Sequence, residues 1–409
     1  MKLPVKNRKK CLSVVILFLL CAGCSAGGIY GQSVKEEAWE EETTEKGPVQ
    51  QEPEKEETPQ SGEQEKEERY PERRKDLGQA ALVIGTSPVM DGGYNQAAYE
   101  GLQSYAQSAG VVYSYYGAAC DSLEGYEEAV LTAIKGGARL IVCAGSYFEQ
   151  AVGSLQDQYQ DVYFLLLDGV PKDGSGNAVD IGQNVHCIVY DEEEAGYLAG
   201  YMTVLEGYTR LGFIGGRPFP SVCRYGYGYV QGIDDAAAYR DISGEIRIDY
   251  WYADTFLPNE QVEKRALDWY MSGTEVIFVC GGSLYESVLA GAESCSGRLI
   301  GADVDQSGIS ELFLTSAVKG VKASVIIALD DFYAYGGIWS GELAGKVIAY
   351  GAEKKCIELP YTDEAWRFEH VSADDYFQIL ADLKTGKIHV SDEIDIFPET
   401  TVPVIYHNE

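Results

Sequence analysis

The sequence predicts an α/β protein made of two doubly wound lobes, each built on a parallel sheet. Short apolar runs alternate with amphipathic helical stretches at the spacing that βα units require. The body that carries this pattern, about 330 residues, is too long for one small core and fits two. Connections of this length produce parallel sheets covered on both faces.

Taken in order, the chain opens on Lys2, Lys6, Arg8, Lys9 and Lys10, followed by the apolar run 12–20 and by Ala22-Gly23-Cys24. This is the pattern of an export signal over residues 1–23, and its apolar run falls short of the roughly 20 residues that a permanent span needs. The small residues before Cys24 resemble a lipobox, with Cys21 where Leu is usual, and predict a lipid on Cys24 that ties the chain to the outer face of a bacterial membrane. Residues 24–79 are crowded with Glu, Gln, Lys, Thr and Pro and lack apolar periodicity. Such a stretch cannot bury enough apolar surface to offset its ordering entropy, so it reads as a disordered acidic tether.

Strands are expected at 81–85, 111–115, 140–143, 163–167, 210–214, 246–251, 276–280 and 298–300. Helices are expected at 96–109, 124–135, 148–158, 192–205, 225–239, 261–271 and 285–293. In open α/β sheets, ligands sit beyond the carboxyl ends of the strands. Those positions hold the Gly-rich turn 90–96, then Tyr147 and Phe148, then Asp168-Gly169. In the second half they hold Gly215-Gly216-Arg217-Pro218, Arg224-Tyr225, Gly281-Gly282 and Asp303-Val304-Asp305-Gln306. Acids, an amide, glycines and aromatic rings suit a polar, planar small molecule.

Several classes of function are excluded or disfavoured. A formal charge of −32 argues against nucleic acid or anionic lipid surfaces, which are gripped by Lys and Arg. The body cysteines form no CxxC motif and the four histidines are isolated, so no metal site is expected. There is no Gly-x-Ser-x-Gly elbow and no evident Cys–His pairing. A binding protein without a cofactor is predicted rather than an enzyme.

Blocks in the body resemble the basic membrane protein (PnrA-like) family of substrate-binding lipoproteins. These are Asp91-Gly-Gly-Tyr-Asn95-Gln96-Ala-Ala-Tyr-Glu-Gly101-Leu102, Asp191-Glu-Glu-Glu-Ala-Gly-Tyr-Leu-Ala-Gly200-Tyr201, Gly212-Phe-Ile-Gly-Gly216, Arg224-Tyr-Gly-Tyr-Gly-Tyr229, Ile300-Gly-Ala-Asp-Val-Asp-Gln306 and Leu314-Thr-Ser-Ala-Val-Lys319. The resemblance implies the type I periplasmic-binding fold. It also implies a purine nucleoside held between the lobes and handed to the permease and ATPase of an ABC importer. A sugar or similar polar molecule as ligand, or a sensor in place of an importer, is the alternative.

The lobes implied by the resemblance are 80–189 plus 320–346 and 190–319 plus 347–409, with the helix-like stretch 324–344 returning to the first lobe; one lobe pair per tether suggests a monomer. Asp91 and Asn95 match positions that read the nucleobase edge, although the same residues could simply build the turn and cap the helix. Tyr225 matches an aromatic that stacks on the base; Tyr147 and Phe148 could stack or pack. Asp303 matches the acid that holds the ribose hydroxyls. Lys319 matches a base near the sugar, or a salt-bridge partner of Asp303 or Asp305 at the hinge. Asp168 could reach the cleft or end its strand as a turn. Arg217 stands where the family often has an acid.

Overall fold

The structure is a computed structural model that describes residues 78–407; the export signal, Cys24 and the tether as far as residue 77 lie outside the described residues. The first sheet begins with β1 (Gln79–Ile84), α1 (Tyr94–Ala109), β2 (Tyr113–Gly117), α2 (Leu123–Lys135), β3 (Ala138–Ala144), α3 (Glu149–Leu155), β4 (Tyr163–Leu167) and β5 (Val185–Tyr190). The chain then crosses over and builds α4 (Glu192–Glu206), β6 (Arg210–Gly215), α5 (Pro220–Tyr239), β7 (Arg247–Tyr252), α6 (Glu260–Met271), β8 (Val276–Cys280), α7 (Tyr285–Cys295), β9 (Arg298–Asp303) and β10 (Phe313–Lys319). After β10 it returns through α8 (Val321–Ala334) and β11 (Lys346–Tyr350), and it finishes with β12 (Ile357–Glu358), α9 (Ala373–Lys384) and β13 (Val404–His407).

Strand order is β11-β5-β4-β3-β1-β2 in one sheet and β12-β10-β9-β8-β6-β7-β13 in the other. Every pairing is parallel except β10 with β12. Both sheets are covered on their two faces, which is why strands such as β4 (YFLLL) and β8 (VIFVC) are apolar along their length. Polypeptide passes between the lobes after Tyr190, after Lys319 and after Tyr350, and these points are tied together. The Asp191 amide donates to the Tyr350 carbonyl, and Glu194 accepts the Ala352 amide at 2.6 Å.

Two expectations are corrected. β11 pairs with β5 in register from Lys346↔His186 to Tyr350↔Tyr190, so the segment returning to the first lobe runs to Tyr350 rather than ending at 346. The sequence has no breaker before Gly351, and Lys346-Val-Ile-Ala-Tyr350 extends the open edge of β5. The returning helix is also shorter than 324–344. It starts at Val321 and stops at Ala334, because Gly336 and Gly337 at φ +81° and +84° end it. Leu329 and Phe332 are buried in the first lobe as expected, whereas Tyr335 is exposed. Trp339 lies beyond the helix, buried, and donates its indole N–H to the Asn184 carbonyl at 3.2 Å.

In the second lobe, α4 and α5 cross with their backbones in near contact. A Cβ on Gly228 would lie 2.0 Å from the Glu193 carbonyl oxygen, and one on Gly196 would lie 2.1 Å from that of Tyr225. The crossing therefore sets where Glu192 and Tyr225 enter the space between the lobes. Among the described residues, no disulfide is formed and no helix is long and apolar enough to cross a membrane.

Candidate functional site

The carboxyl ends of the two sheets face each other across a cleft. Its lining is drawn from the loops after β1, β2, β3 and β4 on one side and after β6, β7, β8 and β9 on the other, with Lys319 at the end of β10. The empty space between these residues is about 910 Å³, counting the part open to solvent.

Asp91 sits in the turn before α1. Gly93 and Gln96 donate their backbone N–H to its Oδ1 at 2.9 and 3.1 Å, and Asn95 donates to its Oδ2 at 3.2 Å. The carboxylate thus meets the positive end of the helix, which has no cap from its own N-cap residue, Gly93. Burial still outweighs these bonds and lifts Asp91 to about 6. Asn95 is buried and donates its side-chain amide to the Pro88 carbonyl at 3.1 Å.

The Asp91 shift fixes a pH dependence. Between the ordinary carboxylate value and about 6, the folded chain holds a proton on Asp91 that the unfolded chain has lost. Stability from this group therefore rises as pH falls through that window. Relative to Asp91→Asn, the wild-type chain is expected to gain up to roughly 3 kcal/mol between about pH 7 and about pH 4, measured by urea unfolding. A difference that stays constant with pH would mean that Asp91 titrates normally.

At the floor of the cleft, Lys319 is buried among three carboxylates: Asp168 at 2.8 Å, Glu192 at 3.0 Å and Asp303 at 3.5 Å. Its ammonium also lies over the rings of Tyr94, Tyr190 and Tyr225 at 4.7, 5.0 and 5.6 Å. Arg224 adds a second cation, 2.7 Å from Glu192. Burial opposes the charge on Lys319, but Asp168, Glu192 and Asp303 more than offset it and hold the amine well above its ordinary value. Burial likewise pushes Glu192 up, yet Arg224 and Lys319 together bring it below the usual carboxylate value. Burial prevails at Asp168, lifted to about 7 against the pull of Lys319, and at Asp303, which is also raised.

Asp168 and Asp303 follow or end their strands with φ of 59° and 70°. This left-handed conformation costs a non-glycine residue energy and is rare outside turns and sites. The same device thus appears at corresponding strand ends of both sheets, turning each carboxylate toward Lys319.

The structure brings Asp91, Asn95, Tyr147, Asp168, Tyr225, Gly281, Gly282, Asp303 and Lys319 into one lining. It does not bring Phe148, which is fully buried in the core beside Tyr126 and Val152. Adjacent residues point to opposite sides here: Tyr147 reaches the cleft, where its hydroxyl accepts the Gly85 N–H at 3.3 Å, and Phe148 packs inward. Tyr225 is buried, with its hydroxyl donating to the Ala317 carbonyl at 3.1 Å. Asp305 does not reach Lys319; it accepts the Ser307 N–H within its own loop. Sequence reasoning missed Tyr94, beside Asn95 in the quoted block, and Glu192, whose signal was the run of glutamates opening α4. It also missed the aromatic wall of Tyr126, Phe219 and Phe256.

Comparison with known proteins bears on the family and the fold. The relatives include the ABC transporter nucleoside-binding protein BmpA of Lactococcus lactis subsp. cremoris, 27% identical over 240 residues, with 56% of this chain and 64% of that protein covered. They also include Basic membrane protein B of Borreliella burgdorferi, 26% identical over 264 residues, covering 64% of this chain and 70% of the relative. The CD4+ T-cell-stimulating antigen of Listeria monocytogenes is 25% identical over 328 residues, covering 74% and 85%. Among solved structures, an ABC transporter solute-binding protein from Aeropyrum pernix K1 superposes with a TM-score of 0.62 at 17% identity, covering 76% of this chain and 87% of that one. One from Conexibacter woesei gives 0.59 at 16% identity, covering 77% and 99%. Likeness at this identity carries the fold, the type I periplasmic-binding architecture of two sheets around a cleft. The model of the family described as ABC transporter substrate-binding protein PnrA-like matches residues 79–392, and the chain belongs to that family of binding proteins, which are not enzymes.

Proposed function

We propose that the chain is a receptor that captures a purine nucleoside between its lobes and delivers it to the permease and ATPase of an ABC importer. The observation that supports this most is the composition of the cleft, where buried carboxylates and an amide stand among aromatic rings. In this reading Asp91 and Asn95 meet the donor and acceptor edge of the base, and Tyr147 and Tyr225 supply ring surface. Asp303 takes the two ribose hydroxyls through charge-assisted bonds. Lys319 and Asp168 hold Asp303 in place, and Gly281 and Gly282 let the backbone approach. A Cβ on Gly281 would already lie 2.7 Å from the Phe256 ring. Lipid on Cys24 would hold this monomeric receptor on the extracytoplasmic face of the membrane, with the acidic tether as spacer.

Ligand between the lobes stabilises the closed form because only that form contacts it from both sides. The test is a thermal-shift panel of adenosine, guanosine, inosine, free bases and sugars. A nucleoside at about 100 times its dissociation constant is expected to add about 2.7 kcal/mol of stability, and Asp303→Ala is expected to abolish most of the shift. A shift with a sugar and none with any nucleoside would replace the nucleoside by the sugar as ligand.

A further inference from the structure

We propose that Arg217 and Asp121 form a latch across the mouth of the cleft that sets how much of the chain is closed and how fast ligand leaves; this rests on the cleft being the binding site. Arg217 follows β6 in the second lobe and Asp121 follows β2 in the first, and the guanidinium of one contacts the carboxylate of the other. Both line the cleft.

Topology makes this pair the sensitive one. The crossovers leave from β5, β10 and β11, which gather at one end of each strand order. β2 is the far edge of its sheet, and β6 lies three strands from β10 in the other. Rotation about the crossovers therefore separates Arg217 from Asp121 by more than it separates Lys319 from Asp168, which sit beside the crossovers.

Each partner is also positioned by its own lobe before the lobes meet. Arg217 Nε donates to the Asp254 carbonyl at 3.3 Å, leaving its terminal nitrogen for Asp121. Asp121 accepts the Tyr126 hydroxyl. Tyr126 in turn stacks on Tyr147, ring centroids 5.0 Å apart, and Tyr147 meets Phe219 of the second lobe at 6.2 Å. Side chains already ordered lose little further entropy on pairing. The bond from Gln306 Nε2 to the Gly92 carbonyl at 3.0 Å, which also joins the lobes, is a neutral contact. The Arg217 and Asp121 side chains remain 30% and 36% exposed, so salt screens their attraction. Closure is thereby made sensitive to ionic strength at one identifiable pair.

The experiment measures interlobe distance in the full chain without ligand, using spin labels carried by non-natural residues at the exposed positions Lys135 and Lys264. Arg217→Ala and Asp121→Ala are each expected to shift the ratio of closed to open form about threefold toward open, and the double variant no further. The exchange Arg217→Asp with Asp121→Arg is expected to recover the wild-type distribution. Salt at about 0.5 M is expected to reproduce the shift in the wild-type chain and to leave Arg217→Ala unchanged. Wild-type distances in both single variants at low salt would overturn the latch, as would additive losses in the double variant or an exchange that fails to recover closure. Because no ligand is present, these outcomes do not depend on whether a nucleoside binds.

Discussion

Replacing Lys319 by Met is expected to lower the unfolding free energy by about 3–5 kcal/mol, the cost of leaving buried charges without their partner. Asp168, Glu192 and Asp303 all lie within 3.5 Å of the ammonium, and Arg224 reaches only Glu192 at comparable range, 2.7 Å away. Without Lys319, Asp168 and Asp303 rise further above their ordinary values. The folded variant then holds protons that the unfolded chain has released, and its stability falls as pH rises across that window. The deficit against wild type should accordingly be smaller near pH 5 than near pH 8 when both are unfolded in urea. An equal deficit at both would assign the loss to packing rather than to charge.

Gly228→Ala is expected to destabilise the second lobe by about 3 kcal/mol, the upper end of ordinary overpacking. The added methyl would fall 2.0 Å from the Glu193 carbonyl oxygen and 2.6 Å from its Cα, and backbone cannot yield as a side-chain tip can. Gly196, Gly200 and Gly232 meet the facing helix at 2.1–2.3 Å, so the strain has no easy outlet. Forcing α4 from α5 also displaces Glu192 and Tyr225, so ligand affinity should fall with stability. Gly244→Ala is the control: nothing lies within 4 Å of its Cβ, and the substitution should be close to neutral. Thermal melts of the two variants beside wild type measure the difference, and near-equal melting would contradict the close crossing.

The legible parts of the fold were mostly those where burial on both faces forces an apolar run; the partly buried edge strand β2 (YSYYG) is the exception. β1 to β4 and β6 to β9 all lie where expected to within a few residues. β5 and β10 escaped because polar residues interrupt them. His186 sits in one, and Thr315 and Ser316 in the other, all nearly fully buried. Two of these polar groups find partners inside: Ser316 Oγ accepts the Gln306 N–H at 3.0 Å, and His186 Nδ1 faces the Lys346 carbonyl at 3.2 Å. α5 began five residues before the expected Tyr225, at Pro220, although proline at the first helical position was a usable signal.

The site divides along similar lines. Strand-end logic located Asp91, Asp168 and Asp303 because their position depends on topology alone. Which side chain meets which was harder to read, since Lys319, Asp168 and Glu192 come from three segments far apart in the chain. Asp305 reads from the sequence as a loop or capping residue more readily than as a partner of Lys319, and it accepts the Ser307 N–H within its own loop. Phe148 and Tyr147 differ by one position, and only the geometry of the short turn after β3 decides which enters the cleft. Left-handed backbone at Asp168 and Asp303 leaves no mark in composition.

The central claim, that the cleft holds a nucleoside with its base against Asp91 and Asn95 and its ribose on Asp303, is tested most directly by a crystal structure of the chain grown with guanosine or inosine. Density is expected between the two sheets, with base donors or acceptors within hydrogen-bond reach of Asp91 and Asn95 and both ribose hydroxyls on the Asp303 carboxylate. A nucleoside bound outside the cleft, or bound within it with Asp303 untouched, would contradict it.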